Sequence, residues 1–464
     1  MPSRREMLLG GAALAFTAAT LPARKLLAAS PDTPVIIEAR PGKALLLDGG
    51  KETSIWGYGG QVPGPLLRVK RGEQVWFQLK NSLPDPTTIH WHGIRIDNAM
   101  DGVAHLTQHA VEPGGTFDYR FTVPDAGTFW YHPHHVSWEQ VARGLYGALI
   151  VEEDEAPSVD RDIVLIGDDW RLDDASEIDE KSFNSLHDRA HAGRLGNVLT
   201  VNGKPLGRFE VKSGELVRLR LLNTCNSRIL SLEFEGLKPT IIALDGQPCT
   251  HIPLADGKLR IAPAQRADLL IEMTGEPGST SAISEISRER LVAAEFVYQT
   301  DGRVDSKGRS ALVLPDNGIS VPDLVQAMHV DLVMAGGAMG QLTQASYDGK
   351  QYAMRDLAQQ HGMIWALNGQ AGMSEKPLFT ARRGQTVVVR MVNESLWPHA
   401  MHFHGHHFRQ TENPPGPWHD TILLERTETK EIAFVADNPG KWMIHCHMLE
   451  HQAGGMDTWF EVLA

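Results

Sequence analysis

Three times along this 464-residue chain a short apolar run, a glycine turn and an alternating strand recur in the same order. The first copy opens at Tyr58-Gly-Gly-Gln-Val-Pro-Gly-Pro, turns at Arg71-Gly-Glu73 and alternates apolar and polar residues up to Asn81. The second runs from Val201-Asn-Gly-Lys-Pro through Ser213-Gly-Glu to Arg218-Leu-Arg-Leu-Leu-Asn223. The third runs from Leu367-Asn-Gly-Gln through Arg383-Gly-Gln to Val387-Val-Val-Arg-Met-Val-Asn393. A period of two puts every second side chain on one face, the mark of a strand buried on one side. Two further segments, Pro124-Asp-Ala-Gly-Thr-Phe-Trp-Tyr-His132 and Asn438-Pro-Gly-Lys-Trp-Met-Ile-His445, each carry such a strand up to a histidine. Short strands separated by turn signals predict an all-β chain, and three copies predict three consecutive Greek-key β-sandwich domains. Their expected spans are 31–153, 154–325 and 326–464. A single core does not grow to roughly 430 residues.

The first 30 residues break the pattern. Ser3-Arg4-Arg5-Glu6-Met7-Leu8 has the form of a twin-arginine signal, and the apolar run from Leu8 to Ala19 is too short to span a bilayer. Cleavage is expected near Leu27-Ala28-Ala29-Ser30, with folded export to the periplasm or beyond. No other segment is apolar enough to cross a membrane. The net charge of -13 argues against nucleic acid and anionic membrane surfaces as partners.

Histidine is placed with unusual regularity. His90-Trp91-His92, His132-Pro133-His134, His402-Phe403-His404 and His445-Cys446-His447 are four His-x-His pairs. On a strand that spacing sets two imidazoles on one face and the intervening residue on the other, so the last strand points Cys446 away from His445 and His447. His399, His451 and Met456 stand close by in sequence. A thiolate with two imidazoles and a weak thioether describes a blue-copper electron-transfer site. Together the pattern offers twelve metal donors.

HWHG (90–93), WYHPH (130–134), HAMHFHGH (399–406) and HCHMLEHQAGGM (445–456) resemble the four copper motifs of the multicopper oxidases, in the family's order and across nearly the whole chain. The resemblance implies cupredoxin-type domains and about four copper ions. It assigns His399, Cys446, His451 and axial Met456 to the type 1 ion, and His90 and His402 to type 2. His92, His132, His134, His404, His445 and His447 fall to the type 3 pair. The middle domain carries no ligand motif and is expected to act as a spacer. By the same resemblance Asp101 supplies protons near the trinuclear site, and Asp420 faces substrate. Gln452 stands where relatives often carry Glu, which leaves Glu450 as a further acid.

The implied activity is one-electron oxidation of phenols, with metal ions as further donors, coupled to reduction of dioxygen to water. A dedicated cuprous oxidase is the alternative. A metal-free scaffold has no use for an intact ligand set, and a simple copper carrier needs only the type 1 site. Six of the fifteen methionines lie in 328–373, but not in dense runs, so the type 1 site is expected to be open to small organic reductants. The protein is expected to work as a monomer. Cys225 and Cys249 either pair or remain two buried thiols.

Overall fold

The structure, a computed structural model, describes residues 27–28, 33–155, 157–305, 312–412 and 414–464. The signal-like segment therefore lies outside the described residues, apart from Leu27–Ala28, which pairs in parallel with Leu67–Arg68.

The strands assemble into three pairs of sheets, from residues 27–152, 161–303 and 328–463 in turn, with a small two-stranded sheet, Gln344–Tyr347 with Lys350–Ala353, added to the third. The repeat seen in sequence has a topological counterpart. In each unit the opening strand pairs in parallel with the alternating strand of the repeat: Val35–Ala44 with Gln74–Asn81, Arg161–Trp170 with Leu216–Asn223, and Met328–Gly336 with Gln385–Asn393. Antiparallel neighbours joined by such crossovers give the Greek-key arrangement.

The asparagine ending each alternating strand explains why the repeat stops there. All three are buried. Asn81 donates to the carbonyls of Asp85 and Val111 (2.9 and 2.8 Å) and accepts from Leu83 N–H. Asn223 makes the same three bonds with Arg228, Ile261 and Cys225. Asn393 makes them with Trp397, Glu425 and Ser395. Each amide thus satisfies a turn that would otherwise bury unpaired backbone groups.

Apolar residues of the first and third units merge into one core, from Val35 through Trp91 and Tyr131 to Trp442 and Phe460, while the middle unit keeps its own around Leu219 and Phe296. The first and third units therefore pack face to face. Cys225 and Cys249 are both free thiols, so they do not pair. No described helix is long and apolar enough to cross a membrane.

Candidate copper centres

Two strand pairs carry the ligand motifs. His90–His92 pairs antiparallel with Gly127–His132, bringing His90 opposite His132. His399–Phe403 pairs with Gly440–Cys446, bringing Met401 opposite Cys446 and His402 opposite His445. Motifs about 40 residues apart become neighbours through the ladder, and the shared core of the two units then sets the pairs against each other.

The mononuclear constellation lies within the third unit. His399 Nδ1 and His451 Nδ1 are 3.1 Å apart, and Cys446 Sγ is 3.7 and 3.8 Å from them. A trigonal ion with nitrogens at roughly 2.0 Å and sulfur at roughly 2.3 Å needs donors about 3.5–3.7 Å apart, close to this spacing. Met456 is fully buried beside it, its carbonyl accepting from Cys446 N–H (3.0 Å). Burial pushes the Cys446 thiol up to about 12, so a thiolate here needs a cation beside it.

The remaining eight imidazoles form one buried cluster between the first and third units. His134, His404 and His445 converge through their Nε2 atoms at 3.2–3.3 Å. His92, His132 and His447 form a second triad, with ring centroids 5.1–5.7 Å apart. His90 and His402 lie between them, 5.9 Å apart, each with a buried Nε2 that has no hydrogen-bond partner.

The outer nitrogens show what the inner ones are for. His90 donates from Nδ1 to Asp101 O, His402 to Asp420 O, His132 to Pro133 O and His445 to Cys446 O, at 2.8–3.1 Å. His404 donates from Nδ1 to Asp101 Oδ2 (3.0 Å), and His92 from Nε2 to Asp420 Oδ1 (3.2 Å). A carbonyl only accepts, so these bonds fix the tautomer and turn a lone pair inward, as metal-bound histidines require. Burial first, then neighbouring imidazoles, hold His132, His134, His404 and His445 well below the ordinary histidine range. Neutral rings with inward lone pairs fit metal ions.

The three candidate carboxylates separate by position. Asp101 is fully buried and braces His404 and His90. Asp420 does not face a substrate at the surface: it too is fully buried, against His92 and His402. Arg266 grips it with two bonds of 2.8 and 2.6 Å. Burial works to raise the Asp420 carboxyl, but Arg266 and His92 hold it well below the usual carboxylate range. Its motif lies in the loop before the strand Thr421–Leu424, which pairs with the His399 strand and so turns Asp420 inward. Glu450 faces the middle unit, its oxygens taken by Asn226 Nδ2 (2.8 Å) and Ser227 Oγ (2.6 Å). It serves as a tie between units.

Gln452 accepts from Ser137 Oγ (3.0 Å) and lines a cleft of about 410 Å³ together with His134 and Asp457. Asp457, whose carboxyl burial raises to about 7, has one local sequence signal, its place directly after the thioether motif. Arg266 has none, because it lies in the unit without ligand motifs.

The middle unit is accordingly more than a spacer. Besides Arg266 it covers the mononuclear site, where His451 Nε2 donates to the carbonyl of His191 (2.7 Å). Ser395 Oγ meets His399 Nε2 at 2.9 Å. Both rings are fully buried, so a reductant meets the residues that cover them rather than the rings themselves. Of the 328–373 methionines, Met334 is core, whereas Met339 is 72% and Met373 37% exposed.

Sandwich units joined by a buried cluster of eight histidines, with a separate His/Cys set in the third, define the metal-binding class of the cupredoxins. Models of the multicopper oxidases match residues 42–156, 161–287 and 343–464. The crystal structure of a multi-copper oxidase from Pseudomonas thermotolerans is 33% identical, covers 94% of this chain and 100% of its own, and superposes with a TM-score of 0.80. Multicopper oxidase MmcO of Mycobacterium tuberculosis is 29% identical across 88% of this chain and 83% of its own. Laccase-1 of Fomitopsis schrenkii is 29% identical across 86% and 81%. The chain belongs to the multicopper oxidase family, and is a copper-dependent oxidoreductase with dioxygen as acceptor.

Proposed function

We propose that His399, Cys446 and His451, with Met456 as a weak thioether donor, would hold the type 1 ion. His90 and His402 hold type 2. The triads His134/His404/His445 and His92/His132/His447 hold the two type 3 ions. Bound copper supplies the one-electron steps from reductant and the four-electron reduction of dioxygen. The chain supplies geometry: Cys446 joins the two stations, because its covalent neighbours His445 and His447 belong to different triads. Asp101 orients His404 and His90 and holds a carboxylate at the cluster, where protons are consumed. Asp420, clamped by Arg266, orients His92 and His402.

Small phenols of the laccase type are the proposed reductants, with cuprous ion as a second substrate. The weak thioether of Met456 supports this, since it favours a lower potential than a non-coordinating residue would. The Ser3–Leu8 motif supports folded export to the periplasm or beyond. The observation that carries the reading is the set of inward lone pairs on outwardly tethered histidines. The test is dioxygen uptake with a dimethoxyphenol and with cuprous ion as donors. Water as the product, without released peroxide, is expected; stoichiometric peroxide overturns the reading.

A further inference from the structure

The corner that ends the third repeat differs from the other two at a position that touches a type 1 donor. In each corner the residue two places after the asparagine gives its N–H to the asparagine Oδ1: Leu83, Cys225 and Ser395. All three side chains are buried, but only the third is a hydroxyl. Its one proton goes back to Asn393 Oδ1 at 2.8 Å, with the Trp397 carbonyl farther off at 3.1 Å. Ser395 Oγ is therefore left as an acceptor, and His399 Nε2 stands 2.9 Å from it. The other ring nitrogen, Nδ1, faces Cys446 Sγ and His451 Nδ1. The ring proton thus belongs on Nε2, and the bonds run from imidazole to hydroxyl to amide. Asn393 is held in turn by donating to the carbonyls of Trp397 and Glu425. The imidazole has little freedom to turn, because Trp365 stands edge-on to it at 4.8 Å and is itself fixed by donating to the Arg189 carbonyl.

We infer that Ser395 is a positioning residue that lowers the reduction potential of the type 1 ion by accepting a hydrogen bond from His399 Nε2. This rests on the assignment of His399 to that ion given above. An imidazole that donates from its outer nitrogen is a more basic ligand at its inner one. A more basic ligand favours cupric over cuprous ion, because the higher charge gains more from it. The turn itself does not need the hydroxyl, since Leu83 and Cys225 make the same corner without one. The second type 1 imidazole is tethered in another way: His451 Nε2 donates to the backbone carbonyl of His191, an acceptor that no side-chain change removes. Only the His399 tether is open to substitution. Ser395 and His399 are both fully buried, and the space left by one oxygen is smaller than a water, so solvent does not replace the lost acceptor. With Trp365 holding the ring in place, removing the hydroxyl changes the strength of the donor and leaves its position.

The test uses the copper-loaded protein, poised anaerobically against a one-electron mediator couple at a fixed ratio, with the blue absorption reporting the oxidised fraction of the type 1 ion. Ser395→Ala is expected to move the ratio of reduced to oxidised ion towards the reduced side by about three- to tenfold, the worth of one ordinary hydrogen bond. Tenfold corresponds to about 59 mV for one electron. Ser395→Thr keeps the hydroxyl and should return the ratio to that of the wild type. Copper content should be the same in all three proteins. Anaerobic reduction of the type 1 ion by a dimethoxyphenol should be faster in Ser395→Ala, with KM for the phenol unchanged, because the residue is sealed from substrate. An unchanged ratio in Ser395→Ala, a shift that Ser395→Thr does not reverse, or loss of type 1 copper from Ser395→Ala overturns the proposal. A copper-loaded wild type without blue absorption fails the assignment of His399 itself, and the role of Ser395 falls with it.

Discussion

Cys446 does two jobs through its neighbours and one through its sulfur, and the three can be separated. Its sulfur meets His399 and His451, whereas the residues on either side belong to the two triads. Cys446→Ser is expected to abolish the blue thiolate-to-copper absorption while the trinuclear ions stay bound, as read by visible spectroscopy and copper analysis. Asp101 poses a different question, because it both braces histidines and presents a carboxylate. Asp101→Asn keeps the shape and removes the acid. Reoxidation by dioxygen should slow by roughly 10²-fold, the usual contribution of a positioned proton donor, while reduction of the type 1 ion stays unchanged in stopped-flow traces. Equal reoxidation rates would limit Asp101 to holding His404 and His90.

At the scale of elements, the three asparagine corners offer an internal comparison. Each stands at the end of the repeated strand with the same three bonds, yet only the third leads into a metal site, through Ser395 and His399. Replacing a buried asparagine by alanine leaves backbone groups unpaired, at about 1–3 kcal/mol each. Asn81→Ala should therefore lower the urea midpoint and leave the type 1 spectrum alone. Asn393→Ala should lower it comparably and also shift the blue band, because Ser395 loses its anchor. The long strand Arg161–Trp170 carries a second test in Asp168. Burial, reinforced by the charge of Asp169, raises its carboxyl well above the usual range. An acid whose folded pKa is raised lends stability that is fully present below its unfolded pKa and is lost as pH rises through the folded one. Asp168→Asn should flatten that decline in denaturant midpoints measured from the ordinary carboxylate range upward.

Across the whole molecule, the middle unit reaches the cluster between the other two through a buried ion pair. Arg266 reaches from it to Asp420, and both side chains are about 1% exposed or less. Removing one partner of a buried pair strands the other charge, at about 3–5 kcal/mol. Arg266→Leu should cost that much in urea unfolding and also lower trinuclear copper content. The double variant with Asp420→Asn should cost less than the sum of the singles, because neither charge is then left alone.

How much of this was legible beforehand follows from the range of each interaction. The strand pattern, the three units and the donor motifs were readable because each depends on residues close together in sequence: alternation, a glycine turn, or two histidines on one strand face. The donor type of Cys446 was equally local. What the tertiary structure alone decided lies where distant segments meet. It divided six of the clustered histidines into two triads, since that depends on how the first and third units pack. It turned Asp420 inward against Arg266, directed Glu450 to Asn226 and Ser227, and laid His191 over His451. Those contacts join residues more than 150 positions apart, where no local period carries a signal and only the packing of the shared core brings the partners together.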